Sequence, residues 1–482
     1  MDNAFGSTAV PLLRGRVAWI VASAFSTVLL SLPAVWNGFP LLQYDTGGYL
    51  ARWYEGYLVP SRSVIYGLFL AASAPLSFWP VVLGQSALTV WIIALTLRAH
   101  RLGGRPGLLV GMVAALCAVT TLPWLTAILL TDIFAALSVI ALYLLTARAA
   151  ALSRFEWVTL CLLVSFSAAT HSATFAVLLA MLAGAGILSM FDRKRLPLAR
   201  LATGGLALAL GAALVFAANA IIAKRFVWTP GGFALSFGRM LQDGIVQKYL
   251  AEHCAHSRFI LCAYKDELPR DADEWFWGSA LFDKLGRFSG MDEEMRQIVL
   301  GSLSAYPLLQ LETALIATRK QLLDVHTGEG VINSIWHTYG IVDRYTPKLA
   351  KTMRAARQQH GDINFGAINR LHYPIALTSL ALLPLLMWYA LRRRGIDDIG
   401  EFLAACLFSI VANAFICGAL SNPHDRYGAR IIWIAVLSAV MTAVRVYEYY
   451  LRAPADLAIS ATPLHGNPAL ARDLLGMPRD LT

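Results

Sequence analysis

The sequence predicts an all-α polytopic membrane protein. It would be a bundle of about ten transmembrane helices (nine to twelve) with juxtamembrane helices and a helix-rich outer domain. Three observations carry that expectation. Of the 482 residues, 57% are hydrophobic and only 15% charged, whereas soluble domains run nearer roughly one quarter charged. Apolar runs of about 18 residues or more recur along the chain. Lys and Arg gather between those runs, so the formal charge of +10 marks cytoplasmic loops and gives no reason to expect a nucleic-acid partner.

The first run, Val17 to Val35, follows Arg14 and Arg16 and is long enough to cross. It reads as a signal anchor and not as a cleaved leader. Spans are expected near 17–36, 80–98, 107–122, 124–145, 157–171, 173–191, 201–223, 372–391, 400–420 and 429–450. The pair meeting at Thr170-His171-Ser172 reads as two short helices turning inside the membrane. The apolar stretch 63–79 is short and reads as a juxtamembrane or half-inserted helix. If it does not cross, four basic connections share the N-terminal side: Arg98/Arg101/Arg105, Arg148/Arg154, Arg193/Lys194/Arg195/Arg200 and Arg392/Arg393/Arg394. The positive-inside rule then puts both termini in the cytoplasm. Arginine outnumbers lysine and Ala and Leu are abundant, which suits a GC-rich bacterial genome and a bacterial inner membrane.

The expected units are an N-terminal membrane module (1–223, with a first outer loop at 37–62), a periplasmic helix-rich domain (224–371), C-terminal membrane helices (372–452) and a cytoplasmic tail (453–482). Within the outer domain, Glu293 to Arg319 is helix-like and interrupted at Tyr306-Pro307. Leu308, Leu309, Leu311 and Leu315 give it an apolar face that suits a membrane surface. Cys254 and Cys262 both lie in this domain and are expected to form a disulfide in an oxidising compartment. Cys117, Cys161, Cys406 and Cys417 sit in apolar runs as core residues. His253 and His256 flank Cys254, but their spacing matches no standard zinc pattern. No metal and no cofactor is required, with a divalent ion left open.

Charge is scarce, so its placement is informative. Asp45 stands in Leu41-Leu-Gln-Tyr44-Asp45-Thr-Gly-Gly-Tyr-Leu50, followed by Arg52, Trp53, Tyr54 and Glu55. It reads either as the cap of a helix starting at Thr46 or as a general base just outside the membrane. Tyr44 suits sugar contact, Glu55 is a second acid, and Arg52 and Arg62 are candidate phosphate partners. Asp132 lies about two turns past Pro123-Trp124, roughly 12 Å in at 1.5 Å per residue. An acid at that depth faces either a structural partner or a substrate cavity. His171 is either structural or functional at the turn it occupies. The cluster Ser421-Asn-Pro-His424-Asp-Arg426-Tyr427-Gly-Ala-Arg430 is either a solvated turn or a phosphate site. Its arginines lie on the outer side, against the inside bias, and a guanidinium can grip phosphate through two parallel hydrogen bonds. Asp271-Ala-Asp273-Glu274 reads as a solvated face. The chain contains no phosphate loop, no dinucleotide fingerprint and no nucleophile elbow. No inner loop is long enough for a nucleotide fold, so an activated donor would have to arrive within the membrane.

These features together resemble the GT-C superfamily of polytopic glycosyltransferases. The residues that carry the resemblance are Tyr44-Asp45, Pro60-Ser-Arg62-Ser-Val-Ile-Tyr66, Pro123-Trp124 with Thr131-Asp132, the Tyr306-Pro307 helix and Asp425-Arg426-Tyr427. It covers the layout of residues 15–450. The resemblance implies a polyprenyl-phosphate-linked sugar donor, a lipid, glycan or protein acceptor and membrane lipids as partners. It also implies Asp45 as base, Arg426 and Arg62 on the departing phosphate with Tyr427 nearby, and inversion at the anomeric carbon. Ser63-Val64 replaces the usual proline pair, and no second acid accompanies Asp132. Both departures point to a metal-independent monosaccharide transferase, similar to the aminoarabinose and protein-mannosyl type. A polysaccharide ligase or polymerase, or a lipid or solute transporter, are the alternatives.

Overall fold

The computed structural model describes residues 9–58, 60 and 62–460. It is all-α. Among the described residues the β pairing is limited to one isolated parallel bridge, Leu41 with Ile128. The first half runs α1 (Ala9–Asn37), α2 (Thr46–Glu55), α3 (Val64–Ser73), α4 (Trp79–Ala99), α5 (Pro106–Val119), α6 (Leu122–Ala127), α7 (Ile133–Ala147), α8 (Arg154–Thr170), α9 (Ser172–Phe191) and α10 (Leu198–Ala223). The second half runs α11 (Ala234–Gln242), α12 (Ile245–His253), α13 (Ala280–Lys284), α14 (Arg287–Ala305), α15 (Pro307–Leu323), α16 (Trp336–Tyr345), α17 (Pro347–Arg354), α18 (Phe365–Leu391), α19 (Asp397–Leu420) and α20 (Asp425–Ser460).

Among the described residues seven helices are long and apolar enough to cross a membrane: α1, α4, α9, α10, α18, α19 and α20. The bent pair α14/α15, turned by 105° at Tyr306, would make an eighth if counted as one span. The expected count of about ten is therefore too high, for a physical reason. Three expected spans are short helices: α5 has 14 residues, α7 has 15 and α8 has 17, where a crossing needs about 20. The run read as 124–145 is broken outright. α6 stops at Ala127, the chain extends at Ile128, and α7 restarts after Asp132. Irregular backbone at that depth is tolerated where protein satisfies it. Here Leu41 donates to the Ala127 carbonyl and accepts from Leu129 N–H, both at 2.9 Å.

The 63–79 stretch forms an apolar helix over Val64–Leu76, shorter than the candidate spans. Arg62, before α3, pairs with Asp45. The chain then reverses at Ser77 and Phe78, both at positive φ, and the Phe78 ring meets Phe39, just past the end of α1. The basic connections accordingly gather at the other end of the bundle, where ion pairs knit them together. Arg98 bonds Glu156, Arg148 and Arg195 share Glu401, Arg105 bonds Glu448, and Arg445 approaches Asp398.

Residues 224–371 divide between two cores. Phe237, Leu250, Trp275, Phe282 and Ile298 belong to a separate small core. Val331, Ile341 and Met353 instead join the main bundle core, beside Leu41 and Leu129. Residues 365–371 are already the start of α18. Cys254 and Cys262 are bonded, with Cα atoms 5.6 Å apart, and Cys406 and Cys417 are buried. The last candidate span ends at Tyr450, and α20 continues as helix through the boundary expected at 453 to Ser460; residues 461–482 lie outside the described residues.

Candidate functional site

The bridge between Leu41 and Ile128 brings together the two carboxylates the sequence singled out. Thr46 Oγ1 donates to the Leu129 carbonyl and accepts from Gln43 N–H. Gln43 Oε1 accepts from Asp45 N–H at 2.7 Å. Asp45 thus stands at the start of α2 and Asp132 at the start of α7. Neither side chain caps its helix, so both are free to meet the guanidiniums of α20. The expectation that Asp132 lies two turns inside a continuous helix is corrected by the break before α7.

A chain of alternating charge results. Asp45 Oδ1 is bonded by Arg62, and its Oδ2 accepts from Arg426 Nη1 at 2.6 Å. Arg426 Nε lies 3.8 Å from Asp132, and Arg430 Nη1 lies 3.7 Å from the same carboxylate. Those last two separations exceed hydrogen-bond length, and Asp132 Oδ1 and Arg426 Nε are buried without a hydrogen-bond partner. Arg430 donates to Asn413 Oδ1 at 2.7 Å and to His171 Nδ1 at 3.3 Å, which leaves the His171 proton on Nε2. Burial, followed by the positive charges of Arg430, Arg426 and Arg62, holds His171 well below the usual imidazole value.

Burial alone would raise the Asp45 carboxyl, but Arg62 and Arg426 outweigh it and hold Asp45 below the usual carboxylate range. The sequence cast Asp45 as a proton acceptor. With both oxygens already accepting from guanidiniums it is a weak base at rest, and its visible work is to align two cations.

This cluster forms one wall of a cleft of about 220 Å³. Tyr44, Asp45, Arg62, His171, His424, Arg426 and Tyr427 all line it. Asp132 and Arg430 lie behind them. The rest of the lining is mostly apolar, from Ala173 and Ala176 on α9, Ile416 and Leu420 on α19, Phe276 and Phe288 of the small core and the exposed Trp277, with Ser172, Asp273, Ser421 and Asn422 among them. The N-terminus of α9 opens at the cleft through Ser172 and Ala173, where a helix dipole favours an anion. Arg426 also stacks over Tyr44 and Tyr427, at 5.8 and 5.0 Å from the ring centroids.

Two expected site residues are elsewhere. Glu55 accepts from the Tyr345 hydroxyl at 3.1 Å, and Arg52 is buried within α2, away from the cleft walls. Two others were missed. Glu329 accepts from His424 Nδ1 and from Arg426 N–H, each at 2.7 Å. Asp273, read from sequence as part of a solvated face, lines the cleft 3.4 Å from His424 Nε2. The sequence signal for Glu329 was its place between Gly328 and Gly330, both at positive φ. The Gly330 carbonyl accepts from Tyr44 N–H at 3.1 Å, which brings this loop to the site. Among the described residues no group of three His, Cys, Asp or Glu side chains gathers to hold a metal ion.

No family model, no curated protein and no solved structure matches the chain. The functional reading therefore rests on the geometry of the cleft.

Proposed function

We propose that this protein is a membrane glycosyltransferase that moves a sugar from a polyprenyl-phosphate donor to a lipid, glycan or protein acceptor. The observation that carries the reading is the Arg62–Asp45–Arg426 bridge beside an apolar trough. Two guanidiniums held on one carboxylate present a fork that a phosphate can take over, since both anions accept paired N–H bonds. The trough suits the lipid chain. Within the alternating chain three arginines face two aspartates, so positive charge is concentrated on this wall, with Glu329 and Asp273 at the other edge beside His424. As the bond to the anomeric carbon breaks, the electron pair stays on the phosphate oxygen, where Arg62 and Arg426 neutralise it. Attack from the opposite side inverts the configuration.

The opposite end of the bundle carries the basic connections, which supports a cytoplasmic location for that end and a periplasmic cleft in a bacterial inner membrane. The Cys254–Cys262 disulfide agrees with that side. The matched ion pairs close the opposite end, which favours a transferase over a transporter. The test uses the full chain in lipid nanodiscs with undecaprenyl-phosphate-linked glucose, mannose and aminoarabinose and a bacterial envelope extract as acceptor source. Release of undecaprenyl phosphate is expected from wild type and should fall by about 100-fold in R426Q, the scale of losing one transition-state donor. Turnover that survives R426Q overturns this assignment.

A further inference from the structure

Asp45 is a poor proton acceptor because both of its oxygens are engaged, yet transfer to a hydroxyl must remove a proton. The other edge of the cleft offers a group in the right state. His424 precedes α20 and its ring lines the cleft. Its backbone is fixed at both ends by Gln321, which accepts from His424 N–H at 3.0 Å and donates to its carbonyl at 2.8 Å. Nδ1 lies 2.7 Å from Glu329 Oε1, and the second oxygen of Glu329 is occupied by Arg426 N–H. A carboxylate so placed can only accept, so Nδ1 carries the hydrogen; Nε2 lies 3.4 Å from Asp273 and presents a lone pair in the neutral ring. Asn422 Nδ2 lies 2.8 Å from Nε2, and Asn422 also lines the cleft.

We propose that the Glu329–His424 pair takes the proton from the acceptor hydroxyl, with Asp45 acting as the positioning residue for Arg62 and Arg426. The inference rests on the transferase reading. An acceptor hydroxyl displaces the Asn422 amide from Nε2. The hydroxyl proton passes to Nε2 as its oxygen bonds the anomeric carbon, the carbon–oxygen bond to the phosphate breaks, and the pair of electrons leaves on the phosphate. The resulting imidazolium is held by Glu329 until it returns the proton to water. An imidazole oriented by a carboxylate is a common arrangement for this task. The charged and titratable groups facing His424 are Glu329, Asp273, Arg426 and the Tyr427 ring. Burial would push the imidazole down, but the Glu329 hydrogen bond and the Glu329 and Asp273 charges outweigh it and hold His424 above its ordinary value. That bias strengthens it as a proton acceptor once it is neutral.

The test measures undecaprenyl phosphate release by the full chain in nanodiscs, on the same three donors, from pH 5 to 9. His424→Ala should lose about 10²–10⁴-fold in turnover and recover part of it when imidazole is added, a rescue that a structural histidine would not show. Glu329→Gln removes the partner that raises His424, so the acidic limb of the kcat/KM profile should move to lower pH. Asp45→Asn should raise KM for the donor while leaving that limb in place. Thermal unfolding of each variant establishes that it is folded. An Asp45→Asn protein that binds undecaprenyl phosphate but does not turn over, beside an active His424→Ala, overturns the proton role of His424 and leaves the transferase standing. Wild type that neither binds undecaprenyl phosphate nor releases it from any donor overturns the transferase reading, and this inference with it.

Discussion

The two ends of the bundle both carry arginine–carboxylate clusters, and they are built differently. At the basic-loop end most of the pairs are partly exposed: Arg98 meets Glu156 through both guanidinium nitrogens at 2.6 and 2.7 Å, and Arg148 meets Glu401 at 2.7 Å. At the cleft end, Arg62, Arg426 and Arg430 converge on Asp45 and Asp132, all of them buried except Arg62. Asp132 Oδ1 and Arg426 Nε there are buried without hydrogen-bond partners, as is Arg445 Nε at the opposite end. Matched, hydrated pairs add little and need no ligand. A buried cluster in which guanidiniums are shared between carboxylates is where the proposed phosphate would bind.

The largest effect expected from breaking this contrast is at Arg426. R426Q removes one of the two cations on each buried carboxylate, leaving Asp45 with Arg62 and Asp132 with Arg430, and should destabilise the fold by about 3–5 kcal/mol. D45N/R426Q should recover part of that loss, read by chemical or thermal unfolding of the two variants side by side. Next comes the packing that positions α2. A methyl on Gly47 would sit 2.7 Å from Thr338 Cα, and one on Gly67 would run into the Tyr49 carbonyl. Gly47→Ala should therefore cost about 1–3 kcal/mol and weaken undecaprenyl phosphate binding through Asp45. An unchanged melting temperature and affinity would show that α2 is looser than its packing implies.

A smaller effect depends on pH. His424 gains Glu329 on folding and its imidazole is held above its ordinary value. The stabilisation is complete below about pH 6.5, the unfolded value, and is lost as pH rises through the raised one. H424Q should therefore destabilise more at pH 6 than at pH 8.5; a pH-independent difference would show that Glu329 does not hold an imidazolium. The smallest effect is at the opposite end. R98Q should change stability by about 1 kcal/mol or less and leave donor turnover as it was.

Much of this layout was legible in the sequence, because scarce charge and helical punctuation survive in one dimension. The bend at Tyr306-Pro307 and the Cys254–Cys262 pair were readable from local chemistry. So was the placement of Asp45, Arg62 and Arg426 at one end. The break after Ala127 was not, since Ile128-Leu-Leu-Thr131 is an ordinary apolar helix sequence and only the distant backbone of Leu41 draws it open. Glu329 escaped for a similar reason: its partners His424 and Arg426 are more than ninety residues away. Arg52 and Glu55 looked suitable by proximity to Asp45, but the turns of α2 carry them away from the cleft.

The central claim is that the arginine cluster awaits a lipid-borne phosphate. Its most direct test is binding of undecaprenyl phosphate, with undecaprenol as the phosphate-free control, to wild type and R62Q in nanodiscs. The account predicts that wild type binds the phosphate at least about 10-fold more tightly than the alcohol, a difference of about 1.4 kcal/mol, and that R62Q loses most of that preference. Equal affinity for phosphate and alcohol in wild type would contradict it.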